Sequence, residues 1–337
     1  VLDTLVTRLV SLFDMRRLRS ADVVRSASTG EDSAARDVSA FVRFGRVVLG
    51  YNLFVILWGA WVRASGSGAG CGDHWPLCEG TLIPESPAVA TLIELFHRAT
   101  SGLAFVLVLI LFLQARRIFA AQHPARRAAR ASFVLITIES LIGAGIVLAG
   151  LFGDNASLVR AATVGAHFVN TLILLAALTL TLLFVRDARP ISLRPLDRTR
   201  VLLLIGLAGW LLLGATGAVG ALSRVLYPSN TLAEALAREF APDAPLLLRL
   251  RSLHVVVAAA MGAYVSVLAV HLSRGGRTDA RLAVAIVALF FAQCVLGMLN
   301  VLLVVPTPTL QLSHLLMMDA LWIAFVVMAF KEIEDRE

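Results

Sequence analysis

Eight long runs of mostly apolar residues dominate the chain, at about 44–63, 89–113, 131–151, 158–185, 200–222, 246–272, 280–305 and 309–330. A helix needs roughly 20 such residues to cross a bilayer. The runs are too long and too unalternating for barrel strands, which leaves the helix as the spanning form. Of the 337 residues, 58% are hydrophobic and 16% charged, an apolar excess that soluble domains rarely reach. The predicted fold is an all-α membrane protein with eight transmembrane helices. Short gaps at 152–157 and 306–308 make the third and fourth helices, and the seventh and eighth, tight hairpins.

The net charge of +7 does not point to nucleic acid, because its distribution follows the membrane. Arginines gather in alternate loops: Arg116, Arg117, Arg126, Arg127 and Arg130; then Arg186, Arg189, Arg194, Arg198 and Arg200; then Arg274, Arg277 and Arg281. The N-terminal segment adds Arg16, Arg17 and Arg19, and the intervening 64–90 loop has neither Lys nor Arg. This positive-inside pattern predicts a multi-pass protein of the cell membrane with both termini cytoplasmic. Residues 1–40 are polar and lack the apolar stretch of a secretory signal. Val1–Leu18 reads equally as a basic amphipathic surface helix or a disordered tail.

The chain repeats itself. Leu57-Trp58-Gly59-Ala60 matches Leu212-Leu213-Gly214-Ala215, and Glu139-Ser140-Leu141-Ile142-Gly143 matches Gln293-Cys294-Val295-Leu296-Gly297. With four helices per half, both halves run the same way through the membrane. The expectation is two pseudo-symmetric four-helix bundles related by an axis along the membrane normal. The divisions are an N-terminal segment 1–43, a bundle 44–186, a linker 187–199, a bundle 200–331 and a tail 332–337. Gly143, Gly145, Gly214, Gly217 and Gly220 leave room for close helix contact or a bulky ligand.

His97, His167, His254 and His314 occupy matching depths in the even-numbered helices, about 8–15 Å below one membrane face at the α-helical rise. Ionisable side chains in a bilayer are costly and usually functional. One such histidine is readily explained by a hydrogen bond to a neighbouring helix; four at one level, in two pairs, suggest two sites for heme, each iron held between facing imidazoles. His74, His123 and His271 fall in loops or at a helix end.

Further polar residues surround these positions. Arg63, Arg98, Arg160, Arg224, Arg249 and Arg251 break the positive-inside rule. Arg98 adjoins His97 and Arg251 precedes His254 by one turn, positions suited to pairing with heme propionates, with snorkelling to lipid phosphates as the alternative. Glu94 shares a helix face with His97, where a carboxylate can act as a base or steer water. The matching position in the second half is Arg251. Glu139 and Asp319 are intramembrane acids with no role visible beyond interhelical hydrogen bonding. Cys71 and Cys78 lie in the outer loop with Pro76 between them, and their spacing fits a structural or a redox-active disulfide alike; a zinc site has only His74 as a third ligand.

These residues resemble the heme A synthase family. The resemblance spans all eight helices and rests on Trp58-Gly59-Ala60-Trp61-Val62-Arg63 leading into Gly66-Ser67-Gly68, on Cys71 with Trp75-Pro76-Leu77-Cys78, and on Glu94-Leu95-Phe96-His97-Arg98. His167 followed by Asn170-Thr171, and then His254 and His314, complete it. It implies an oxidoreductase that converts the C8 methyl of heme O to a formyl group, giving heme A for cytochrome oxidase. It further implies His97, His167 and Glu94 at the substrate heme, His254 and His314 as ligands of a resident heme b, and a Cys71–Cys78 disulfide. A second outer cysteine pair found in some members has no counterpart in residues 223–245. The partners expected are heme O, membrane lipid, an electron acceptor of unspecified identity and a heme O synthase, with a homo-oligomer open. The rival readings are a non-catalytic diheme cytochrome and a heme carrier or assembly factor.

Overall fold

The computed structural model describes residues 30–185, 197–274, 280–303 and 307–334. Its helices are α1 (Gly30–Ala64), α2 (Val89–Ile118), α3 (Pro124–Leu148), α4 (Leu158–Leu183), α5 (Arg198–Leu226), α6 (Leu232–Glu239), α7 (Leu246–Arg274), α8 (Ala280–Leu302) and α9 (Pro308–Glu334). All except α6 are long and apolar enough to cross a membrane. The chain is an all-α, multi-pass membrane protein; among the described residues, pairing in the strand sense is confined to the bridge Cys78–Thr81.

The first helix begins at Gly30, well before the expected 44. Arg36, Asp37 and Arg43 do not interrupt it, because charge on an exposed turn costs a helix little. The added turns bury Phe41 and Val42, and Phe41 meets Phe119 edge to face at 5.3 Å. The third helix likewise starts early, at Pro124, where proline at the first position follows a His123 cap. The short α6 has no counterpart among the eight expected spans. The expected Val1–Leu18 surface helix lies outside the described residues, as do most of the 187–199 linker and the last three residues of the tail.

Helices α1, α2, α3 and α4 pack in a ring, each on the next with α4 returning to α1; α5, α7, α8 and α9 do the same. Helices α4 and α9 are the most enclosed and join the rings, also touching α5 and α1 respectively. Between them Trp322 Nε1 donates to Leu172 O at 2.7 Å, and Phe184 meets Phe330 at 5.3 Å. Lipid offers apolar side chains no less than a helix does, so close packing rather than water exclusion holds such rings together. Gly214 illustrates this: a Cβ there would stand 2.6 Å from Leu172 and 3.1 Å from Phe168. Hydroxyls inside the helices bond to carbonyls one turn back, as Thr100, Ser132, Thr179 and Thr181 do.

Candidate functional site

The even-numbered membrane helices α2, α4, α7 and α9 all start at the end of the molecule that carries the 65–88 loop. His97, His167, His254 and His314 follow those starts by six to nine residues, so all four lie about 9–14 Å down. Within each ring the two histidine-bearing helices stand diagonally, α2 across from α4 and α7 across from α9. His97 and His167 lie within electrostatic reach of one another, and so do His254 and His314. The structure thus brings the four together as two pairs.

Each imidazole rests against a glycine of the preceding membrane helix. A Cβ at Gly59 would stand 2.9 Å from His97 Cε1, one at Gly217 3.1 Å from His254 Cε1, and one at Gly297 3.0 Å from His314 Cε1; Gly143 faces His167 at 4.0 Å. At each of the first three a methyl group would press on the ring, which would have to shift, so glycine lets the imidazole sit where it does. Gly217, three residues beyond the Gly214 of the sequence repeat, is therefore the counterpart of Gly59. Gly145 and Gly220 face open space. Gly59 and Gly297 were not singled out as site residues from sequence; their signal is a glycine on each helix preceding a histidine helix.

The ring nitrogens are short of partners. Nδ1 of His97, His167 and His314 is buried without a hydrogen bond. His254 Nδ1 lies 3.3 Å from Thr216 Oγ1. The Thr216 hydroxyl proton is directed to the carbonyls of Leu212 and Leu213, so Thr216 can accept from Nδ1–H and leave His254 Nε2 unprotonated for a metal. Half-buried imidazoles in two pairs, three of them without a partner at Nδ1, are the residues that would hold heme iron. Among the described residues no cluster of three or more His, Cys, Asp or Glu could hold a bare metal ion.

Glu94 is buried and bonded on both oxygens. Oε2 accepts from Cys71 N at 2.8 Å; Oε1 accepts from Arg98 Nε at 3.1 Å and Nη2 at 2.5 Å. Arg98 Nη1 donates to the carbonyls of His74 and Leu77, both at 2.5 Å. The pair therefore ties α2 to the 65–88 loop. Cys71 and Cys78, fully buried, are joined by a disulfide, which removes them as zinc ligands. The loop closes through Glu79 and Gly80, both at positive φ, between Cys78 and Thr81. Gly70 packs so tightly on α2 that a Cβ would stand 2.5 Å from the Ala90 backbone.

The second half holds a matching ion pair from a different source. Arg251 donates from Nε at 2.9 Å and Nη2 at 2.5 Å to Glu239 Oε2, and Glu239 is buried at the end of α6. Sequence reasoning missed Glu239 because it comes from a loop helix. Arg160 donates to Gly153 O at 2.6 Å and Asn155 O at 2.8 Å, Arg224 to Asn300 O, and Arg249 to Pro242 O. Arg63 differs: its side chain makes no hydrogen bond or ion pair with any described residue. It stands one turn beyond Gly59 on the same face of α1, toward the loop end above His97. Glu139 approaches His167 and binds Asn170 and Thr171.

Diagonal histidine pairs in two rings of membrane helices define a multi-pass membrane protein with two paired-histidine sites. The chain belongs to the cytochrome oxidase assembly protein family (COX15-CtaA), whose model matches residues 43–326. It is similar to a protoheme IX farnesyltransferase of Thermus thermophilus, 45% identical over 290 residues, covering 85% of this chain and 47% of that protein. It is also similar to the heme A synthase of Alkalihalophilus pseudofirmus, 37% identical over 144 residues, covering 42% of this chain and 46% of that protein. The heme A synthase of Geobacillus thermodenitrificans is 42% identical over 146 residues, 42% of this chain and 44% of its own length. The chain spans about half the length of the curated relatives it matches.

Proposed function

We propose that the chain is a heme A synthase, oxidising the C8 methyl of heme O to a formyl group. The observation that carries this reading is the pairing of four matched imidazoles in glycine-lined slots, with buried Glu94 one turn from His97. The relatives named heme A synthase support it. His97 and His167 hold and orient the substrate, and His254 and His314 hold heme b. The two halves are the pseudo-symmetric bundles 44–186 and 200–331.

Methyl plus water gives formyl plus four protons and four electrons. When bound, heme b supplies a one-electron relay to an external one-electron acceptor; what the protein adds is position and a place for protons. Glu94 takes a proton at Oε1 or Oε2 and orients water, its charge held ready by Arg98 and the Cys71 N–H. Arg63, whose side chain has no partner among the described residues, takes a propionate of the substrate. Arg98 and Arg251 offer their remaining N–H groups to propionates in their own halves.

The relative named protoheme IX farnesyltransferase supports a partnership with an enzyme that attaches the farnesyl group, since that reaction makes heme O. The arginine distribution supports a cell-membrane location with cytoplasmic termini and both sites toward the outer face. A second reading, a diheme electron carrier without chemistry of its own, is favoured by one observation: both Glu94 oxygens are already bonded, as a purely structural anchor's would be.

Co-expression with a heme O producer separates the two. Pigment extracted from those cells should contain a species about 14 mass units above heme O, as methyl to formyl requires. The Glu94→Ala chain should retain heme b and lose that species. A wild-type chain that binds heme and yields only heme O favours the carrier.

A further inference from the structure

The two sites differ in the residue behind the α4 and α9 histidines. Glu139 and Gln293 occupy matched places, each four residues before the glycine that faces the histidine, Gly143 or Gly297. Glu139 Oε1 lies 3.2 Å from His167 Nδ1, within ion-pair distance but outside hydrogen-bond alignment. Asn170 Nδ2 donates to Glu139 Oε2 at 2.5 Å and to Leu135 O at 3.0 Å, and Thr171 Oγ1 donates to Oε1. Two buried donors thus hold the carboxylate beside an imidazole nitrogen that has no other partner. In the second half Gln293 Nε2 donates to His314 O at 2.8 Å, and the places matching Asn170 and Thr171 are Met317 and Met318. One histidine is backed by a charge, the other by a neutral amide.

We propose that Glu139 is a positioning residue that accepts the Nδ1–H of His167 and sets the order of the two heme potentials. The inference rests on the reading that the histidine pairs hold heme. A small turn of the imidazole brings Nδ1–H onto Oε1 while Nε2 faces the centre of the ring. A carboxylate there makes His167 a stronger electron donor to iron, and in a low-dielectric interior its negative charge favours the ferric over the ferrous state. Gln293 supplies no such charge. A heme held by His97 and His167 would therefore have a lower potential than one held by His254 and His314, making electron transfer from the first to the second downhill.

Optical redox titration of purified chain loaded with hemin tests this without any catalytic readout. In a His254→Ala background only the first site should report. There Glu139→Gln, which keeps shape and removes charge, should raise the midpoint potential, and Glu139→Asp should restore part of the fall. In a His97→Ala background Gln293→Glu should lower the potential of the second site. Full heme binding with an unmoved potential in Glu139→Gln overturns the proposal. Should that variant lose heme, Gln293→Glu decides: an unchanged second-site potential overturns it and a lowered one supports it. Wild-type chain that binds no hemin would instead overturn the heme reading on which the inference rests.

Discussion

At the scale of single residues, charge beside the two histidine pairs is matched locally. Glu94 with Arg98, and Glu239 with Arg251, form tight pairs beside the two histidine sites. Removing one member of a buried pair strands the other's charge, at a cost of about 3–5 kcal/mol, whereas removing both is far cheaper. Glu94→Ala and Arg98→Ala should each destabilise the detergent-solubilised protein more than the Glu94→Ala/Arg98→Ala double variant does. Thermal unfolding followed as a double-mutant cycle measures this coupling. The glycine slots give a second expectation. Gly297→Val should push the His314 ring from its place, so that hemin loading falls from about two per chain toward one. A chain that still binds the full complement would show that the slot is not what positions the ring.

At the scale of elements, the histidines were legible because a bilayer makes each ionisable residue conspicuous, and their spacing from the helix starts survives in the structure. Glu139 was visible as an intramembrane acid, yet its contact with His167 depends on how α3 lies against α4. Hydropathy does not encode that. Its available signals were the alignment with Gln293 and the placement of Asn170 and Thr171 one turn after His167. The short α6 was missed because eight amphipathic residues in a loop do not resemble a span, and the Glu239 pairing was lost with it. The early start of α1 escaped notice because its added turns carry arginines while burying Phe41.

The N-terminus of α3 lies outside the apolar stretch and responds to acid. His123 Nδ1 accepts from Ala125 N at 3.2 Å, and burial pushes the imidazole below its usual 6.5. The unfolded chain therefore binds a proton that the folded cap resists. The cap's stabilisation is complete above about pH 6.5 and declines as the pH falls below it. The protection factor at the first turn of α3, the intrinsic exchange rate over the observed one at the same pH, should fall on acidification in the wild type, and His123→Asn should flatten that dependence.

At the scale of the whole molecule, the number of crossings and the charge asymmetry were readable from sequence, because eight apolar runs can be counted and loop arginines assigned to alternate ends. The ring order was not, since it follows from which helix faces meet. A reporter joined after Glu337 should be active only on the cytoplasmic side, and one inserted at Gly153 only on the other. The reverse result would invert the orientation argued for both sites.

The seam between α4 and α9 carries a consequence of its own. Each histidine pair has one helix, α4 or α9, set into the protein's spine and an opposite one, α2 or α7, on its outside. On the proposed heme reading, moving the outer helix alone would open its pair sideways while the spine stays still.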